Sequence, residues 1–161
     1  MRDTQRYAYK MYNFEQGKTL AFWYIARKMR TRGELIQKLR YKGYPLDIAN
    51  QVADYMRELA YIDDADYAAR YIKDAHGIKK CGRSRIVREL REKRVSQDVI
   101  DEAFGMLELD FGDSLRDLVA QRAKHYDLFN PKEKKRFVDY LARRWFGLGD
   151  ILVSLSELNE Q

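Results

Sequence analysis

Two prolines, nine glycines and a single cysteine are spread over 161 residues. So few prolines leave little to interrupt a helix, and so few glycines leave little from which to build tight hairpins. The lone Cys81 has no partner for an internal disulfide, which fits a reducing compartment. Only two histidines exist, His76 and His125, too far apart in sequence to spell out a metal site. No stretch approaches the ~18 consecutive apolar residues that a membrane span needs. The opening run Met1-Arg2-Asp3-Thr4-Gln5-Arg6-Tyr7 is not followed by the apolar core of a secretory signal. A soluble, cytoplasmic protein without membrane association is expected. A glycine-rich phosphate loop is missing too, since Gly147-Leu148-Gly149 is too short and lacks its lysine.

What the chain does have is apolar residues at 45%, enough to exclude disorder, and charged residues at 35%, above the ~25% of ordinary globular domains. That excess points to much surface for the volume, as in an array of units that touch only their neighbours. Comparing the sequence with itself bears this out. At an offset of 51, Leu35, Ile86 and Phe137 correspond, followed by Leu39, Leu90 and Leu141. Lys42, Lys93 and Arg144 come next, then Tyr44, Val95 and Phe146, with Arg32, Arg83 and Lys134 at the matching place upstream. Three copies at one spacing mark a tandem repeat.

Each copy resolves into three helical patterns, and no stretch alternates as a strand does. In the second copy, a helix opens at Asp63-Asp64, either of which suits the N-cap, turns Tyr67, Ala68, Tyr71, Ile72 and Ala75 inward, and stops at Gly77. A second runs from about Gly82 to Lys93 with Ile86, Val87 and Leu90 inward. A third follows Ser96 and carries Val99, Ile100, Ala103, Phe104 and Leu107. The first copy offers Leu20, Ala21, Tyr24 and Ile25, then Leu35 and Leu39, then Ile48, Val52, Met56 and Leu59, with Pro45 in the first turn of its third helix. Its first set precedes the Tyr67 set by 47 residues. The third copy offers Leu115, Leu118 and Val119, then Phe137 and Leu141 after a capping-box-like Asn130-Pro131-Glu133, then Ile151, Leu155 and Leu158. Arg122 falls where the other copies are apolar. Tyr7, Ala8, Met11 and Tyr12 add a helix over residues 4–16. The expected fold is all-α, an elongated and curved array. It comprises an N-terminal extension (1–16) and three-helix repeats over 17–61, 62–110 and 111–161.

The net charge of +6 conceals a segregation. Residues 27–42 hold seven basic groups and one acid; residues 79–94 hold eight and two; residues 132–144 hold six and two. These segments carry +6, +6 and +4, which leaves −10 on the remainder. Lys and Arg on one amphipathic helix ordinarily just cover its wet side. Recurrence in three equivalent helices is harder to assign to solvation, and in a repeat array it predicts a basic stripe suited to a polyanion or an acidic protein groove.

Other constellations point away from catalysis. Asp63, Asp64 and Asp66 lack the glycine and downstream Glu of a calcium loop, and a helix start is a natural home for Asp. Cys81, between Lys80 and Gly82, has no recognisable dyad partner. Most of the twelve tyrosines fall on inward positions, so packing accounts for them before base stacking does. Trp145, beside Arg143 and Arg144, is the ambiguous aromatic. The chain reads as a binding protein with no cofactor, no metal and no catalytic site.

The string from Leu59 to Ala68, Leu-Ala-Tyr-Ile-Asp-Asp-Ala-Asp-Tyr-Ala, resembles the signature joining the first two repeats of the RecX family of recombination regulators. Lys80-Cys81-Gly82-Arg83-Ser84-Arg85-Ile86 with Glu89-Leu90 resembles that family's next motif. Arg32-Gly33-Glu34-Leu35, Lys38-Leu39 and Lys42-Gly43-Tyr44 match its pattern upstream, so the likeness runs over about residues 17–158. Two departures stand out: Ala60 replaces a common glycine, and Arg94 replaces the glycine of the usual Lys-Gly-Ile. The resemblance implies a regulator that binds the RecA filament on single-stranded DNA and inhibits its ATPase and strand exchange, and a monomer is expected. It also implies a role in recombination, DNA repair and the SOS response. The residues expected to meet that partner are Arg32, Lys38 and Lys42; Lys79, Lys80, Arg83, Arg85, Arg88 and Arg91; and Lys134, Arg143 and Arg144. A competing reading is a non-enzymatic DNA-binding helical protein, transcriptional or architectural, using a helix-turn-helix-like pair. Such a reader concentrates its basic groups on one recognition helix, whereas here they recur in three.

Overall fold

The structure, a computed structural model, describes residues 12–159. Those residues form nine α-helices and no strands: α1 (Phe14–Ile25), α2 (Arg32–Tyr41), α3 (Leu46–Glu58), α4 (Asp64–Gly77), α5 (Arg83–Glu92), α6 (Gln97–Met106), α7 (Phe111–Ala123), α8 (Pro131–Ala142) and α9 (Leu148–Asn159). The all-α expectation holds. The helix expected over residues 4–16 lies mostly outside the described residues, and Phe14, Glu15 and Gln16 are the first turn of α1.

Short polar residues start these helices by taking up the orphan N–H groups of the first turn. Asn13 accepts from Gln16 at 2.9 Å, Asp63 from Asp66 at 2.9 Å, and Asn130 from Lys132 at 2.9 Å ahead of Pro131. Asp110 accepts from Gly112 and Asp113. The full capping box lies elsewhere than expected, on α2, where Thr31 and Glu34 each take up the other's backbone N–H. Glu133 instead pairs with Arg136 one turn on. Pro45 is the N-cap residue of α3, one place before its first turn.

By contact density the chain divides into two compact units. The first holds the residues up to Ala68 together with Arg91–Ile100, the second Ala69–Leu90 with the chain from Asp101 onward. In the first unit α1, α2 and α3 enclose Ala21, Leu35, Leu39, Val52, Ala53 and Met56, all fully buried, with Tyr44 and Ile62 closing the core. In the second, α7, α8 and α9 enclose Leu115, Leu118, Val119, Phe137, Leu141, Ile151 and Leu155. Each such side chain removed from water contributes on the order of 1.5–3 kcal/mol. Arg122 is exposed beside a buried Ala123, so α7 turns its apolar stripe without it.

Leu59 departs from the expected inward set and is 45% exposed. α3 ends at Glu58, Ala60 turns left-handed at φ 57°, and the N–H groups of Tyr61 and Ile62 fold back onto the Met56 carbonyl. The helical period stops one residue before Leu59 needs it, and Ile62 takes the buried place.

Candidate functional site

The basic helices α2, α5 and α8 share one design. Their inward pairs, Leu35 and Leu39, Ile86 and Leu90, Phe137 and Leu141, are all fully buried, so the polar remainder faces outward. Each helix is then ended by a residue in the left-handed region: Gly43 at φ 94°, Arg94 at φ 62° and Trp145 at φ 63°. These three stand 51 residues apart, and each is followed by a buried apolar residue, Tyr44, Val95 or Phe146. A left-handed residue with an apolar anchor behind it is how a helix closes its last carbonyls, and glycine fits that place without strain. Only the first repeat uses one.

Two equivalent joints follow from this ending. In the first unit, the start of α2 meets the end of α5. Thr31, fully buried, donates its hydroxyl to the Lys93 carbonyl at 2.5 Å while capping α2. Glu34 also receives Lys93 Nζ at 3.4 Å. A Cβ on Gly33 would collide with the Arg94 side chain, so only glycine permits this approach. The Arg32 N–H donates to Asp64 at 2.7 Å, its Nε to Asp54 at 3.0 Å and its Nη2 to Asn50 at 3.3 Å. Burial raises the Asp64 carboxyl above its ordinary value, against the opposing pull of the Arg32 N–H and guanidinium.

In the second unit, the start of α5 meets the end of α8. Gly82 N–H donates to the Arg144 carbonyl at 2.8 Å, and its missing Cβ leaves room for Trp145. Arg85 reaches the Arg143 carbonyl at 3.3 Å, Arg144 donates to the Lys79 carbonyl, and Arg88 lies over the Trp145 ring at 4.5 Å. Arg85 also donates to Glu89 at 2.8 Å, and Glu89 accepts from the Tyr71 hydroxyl at 2.6 Å. Burial alone pushes the Glu89 carboxyl up, but the bonds from Tyr71 and Arg85 outweigh it and hold the group below its ordinary value.

The Arg85, Arg88 and Arg144 side chains are therefore gathered around the Lys79 and Arg143 carbonyls, with Arg83 one residue beyond Gly82. Arg83 is exposed, packs over Phe104 at 4.4 Å and comes no closer than 4.0 Å to Asp101. Lys80 is half-buried in a left-handed turn, and Arg91 bonds to Gln97. Lys38 rests half-buried against Tyr24 and Tyr41, Lys42 is exposed, and Lys134 is exposed on α8. Arg32, Arg85 and Arg144 are only half-exposed and tied to the chain itself, which their outward helical spacing did not foretell.

Beside each joint lies a cleft. The first, about 540 Å³, is lined by Arg32, Arg57, Asp63, Asp64 and Arg94. The second, about 420 Å³, is lined by Arg83, Ser84, Phe111, Arg116, Trp145 and Asp150. Arg116 and Phe111 carried no signal in the sequence beyond lying in the first turns of α7. Cys81 is buried, and among the described residues no group of His, Cys, Asp and Glu is placed to hold a metal ion. No described helix is long and apolar enough to cross a membrane.

Comparison with known proteins closes the picture. A family model described as the first three-helix domain of RecX matches residues 18–56, and one for the second three-helix domain of RecX matches residues 63–103. Regulatory protein RecX of Mycobacterium ulcerans is 34% identical over 94 residues, an alignment covering 58% of this chain and 54% of that one. The chain thus spans about half the length of that curated relative. Regulatory protein RecX of Mycolicibacterium vanbaalenii is 29% identical over 140 residues, 82% of this chain and 76% of the relative. The crystal structure of RecX from Lactobacillus salivarius shares the fold at a TM-score of 0.71 and 22% identity, covering 92% of this chain and 97% of that one.

Proposed function

The chain belongs to the RecX family of regulatory proteins, and from that premise we propose that it binds the RecA filament on single-stranded DNA and restrains its ATPase and strand exchange. It acts as a monomeric, cytoplasmic binding protein without catalytic chemistry of its own, and the basic helices α2, α5 and α8 meet the filament. The observation that carries this reading is the gathering of the Arg85, Arg88 and Arg144 guanidinium groups around the joint in the second unit. Clustered guanidinium groups suit carboxylate or phosphate, which they grip with paired donors. Direct binding to DNA is weak and independent of sequence, because contacts to phosphates release counterions without reading bases. Its affinity falls with salt at a slope of roughly −0.7 per neutralised phosphate on single strands.

RecA ATPase on single-stranded DNA, measured with and without the protein, tests the reading. Inhibition is expected at stoichiometric protein, and its absence overturns the proposal. The double variant Arg83→Glu with Arg88→Glu is expected to abolish inhibition and DNA binding together while the helical circular-dichroism signal stays. Arg85 is left alone in that variant because it bonds within the fold. Loss of DNA binding with inhibition intact points to a filament contact elsewhere on the chain. A marked preference for one duplex sequence favours the transcriptional alternative.

A further inference from the structure

The two clefts are the same place in successive repeats. Arg32 and Arg83, Gly33 and Ser84, Arg94 and Trp145, Ser96 and Gly147 are pairs at the 51-residue offset, and each pair lines its respective cleft. In the first cleft the chain supplies its own anions. Asp64 accepts from the Arg32 N–H at the start of α2, and Asp54 takes the guanidinium.

The second cleft has neither at those places; Arg83 instead faces Asp101, the residue at the Asn50 place, at 4.0 Å. The N-caps Asp63 and Asp110 stand 47 residues apart, so the residue at the Asp64 place is Phe111. At the 51-residue offset, Gly105 stands at the Asp54 place. Of the first cleft's arginines, Arg32, Arg57 and Arg94, only Arg32 keeps a basic counterpart in the second lining. Arg83 remains, Arg116 enters from α7, and the first turn of α5 holds no acidic residue. Asp150 is the one carboxylate of the lining, while Asp113 is bonded to Arg116 from outside it. Both arginine side chains are at least half-exposed, at 56% for Arg83 and 50% for Arg116, and the cleft opens to solvent beside the Trp145 ring.

We propose that this second cleft is a receptor for a carboxylate-bearing side chain of a protein partner, occupying the place that Asp64 fills from within the chain in the first cleft. The occupant is an Asp or Glu in an acidic peptide segment. Its carboxylate meets Arg83 and Arg116 at the start of α5, where backbone N–H groups and the helix dipole favour negative charge. Phe111 and Trp145 offer an apolar wall to the residue beside it. The choice of carboxylate over phosphate rests on the chain's own precedent, since the group that satisfies the Arg32 N–H is an aspartate. The proposal deepens the filament reading by saying where an acidic part of a protein partner is held, and the two fail separately. Inhibition of RecA with no acidic peptide in the cleft overturns this proposal alone.

The test is a backbone-amide NMR titration of the full chain with an acetylated, amidated hexaglutamate peptide, run beside inorganic phosphate and an oligothymidylate. Peptide-induced shifts are expected at Gly82, Ser84 and the Trp145 indole. The double variant Arg83→Gln with Arg116→Gln should weaken peptide binding about tenfold or more, as removing one side of a charge pair does. Phe111→Asp restores the internal carboxylate and should suppress the same shifts by filling the site. Because Phe111 also packs against His76 and Phe104, this variant is read only if its circular dichroism is native, and the glutamine pair decides otherwise. Shifts at these residues from phosphate or oligothymidylate and none from the peptide overturn the proposal in favour of a phosphate site. Shifts from none of the three probes, or peptide shifts that survive the glutamine pair, overturn it outright.

Discussion

At the joint of the first unit the buried link is a threonine hydroxyl; at its counterpart in the second it is a backbone amide. Thr31 and Gly82 hold the same place in the repeat, as do Lys93 and Arg144, whose carbonyls they seek. The geometry is kept while the chemistry is exchanged: a left-handed residue closes the preceding basic helix, and a glycine lets the next helix approach. Around the first joint the arginine is anchored by aspartates, so its charge is used up in holding the fold. Around the second, no carboxylate stands at the Asp54 and Asp64 places, Arg83 meets Asp101 only at 4.0 Å, and Arg85, Arg88 and Arg144 collect beside it. A repeat can thus keep its packing and free one copy of its charged positions for a partner, because packing depends on shape and buried carbonyls more than on surface charge.

The largest expected effect tests whether the shared geometry is real. Leu39, Leu90 and Leu141 are each fully buried at one repeat position, so alanine at any of them should cost about 2–5 kcal/mol. Thermal melting of the three variants checks it, and an unshifted melting temperature at one breaks the equivalence there. Next in size is Thr31→Ala. It removes a cap, worth about 1 kcal/mol, and leaves the half-buried Lys93 carbonyl without its donor, about 1 kcal/mol more. Ser84→Ala in the first turn of α5 should change stability by no more than about 0.5 kcal/mol, as an exposed substitution does. Equal losses from both would erase the contrast between the joints.

The two joints also differ in the sign of their response to pH. Asp64 titrates above its ordinary value in the fold, so its contribution favours folding at low pH and is lost as pH rises through the raised value. Glu89 titrates below its ordinary value, so its contribution is present above the ordinary glutamate range and is lost as pH falls through the lowered value. Asp64→Asn, whose amide oxygen can still accept from the Arg32 N–H, should therefore gain on the natural protein as pH rises from the acid end towards neutrality. Glu89→Gln should be less stable by about 1 kcal/mol at neutral pH, where it weakens the bonds to Tyr71 and Arg85, with the gap closing in acid. Melting curves from acid to neutral pH read both, and parallel curves for the two variants contradict the assignment.

The repeat, the nine helices and most of the core were legible because apolar residues recur at helical spacing and again at 51 residues. Leu59 was misplaced because a period continued past Glu58 cannot see the left-handed turn at Ala60 that ends the helix. The Thr31–Glu34 box was present as a motif, yet Thr31 aligns with Gly82, so comparing repeats conceals it. The basic candidates were found by composition, but their sorting into anchored and open was not. Arg32 finds Asp54 22 residues away, and Arg85 finds the Arg143 carbonyl 58 residues away, separations that no local spacing encodes. The second cleft escaped notice because its signature is a substitution, Phe111 where the earlier repeat has Asp64. That becomes meaningful only once Asp64 is seen to bond to Arg32.

A smaller effect than the core losses concerns the two departures from the family pattern, Ala60 and Arg94, which replace glycines and both adopt positive φ, at 57° and 62°. A side chain in the left-handed region costs about 1–2 kcal/mol through the crowding of Cβ against the following carbonyl. Glycine escapes that cost but surrenders about 0.5–1 kcal/mol of extra chain freedom on folding. Arg94 is a poor place to collect the difference, because its guanidinium bonds to Gln37 at 3.2 Å and would be lost with the side chain. Ala60 is exposed and carries only a methyl group. Ala60→Gly should therefore stabilise the protein by about 0.5–1 kcal/mol, raising the melting temperature by about 1–4 °C for a chain of this length. Arg94→Gly should gain less or lose outright. A fall in melting temperature for Ala60→Gly would mean that its methyl group contributes packing worth more than the strain, and the turn after α3 would then differ in kind from the three that close the basic helices.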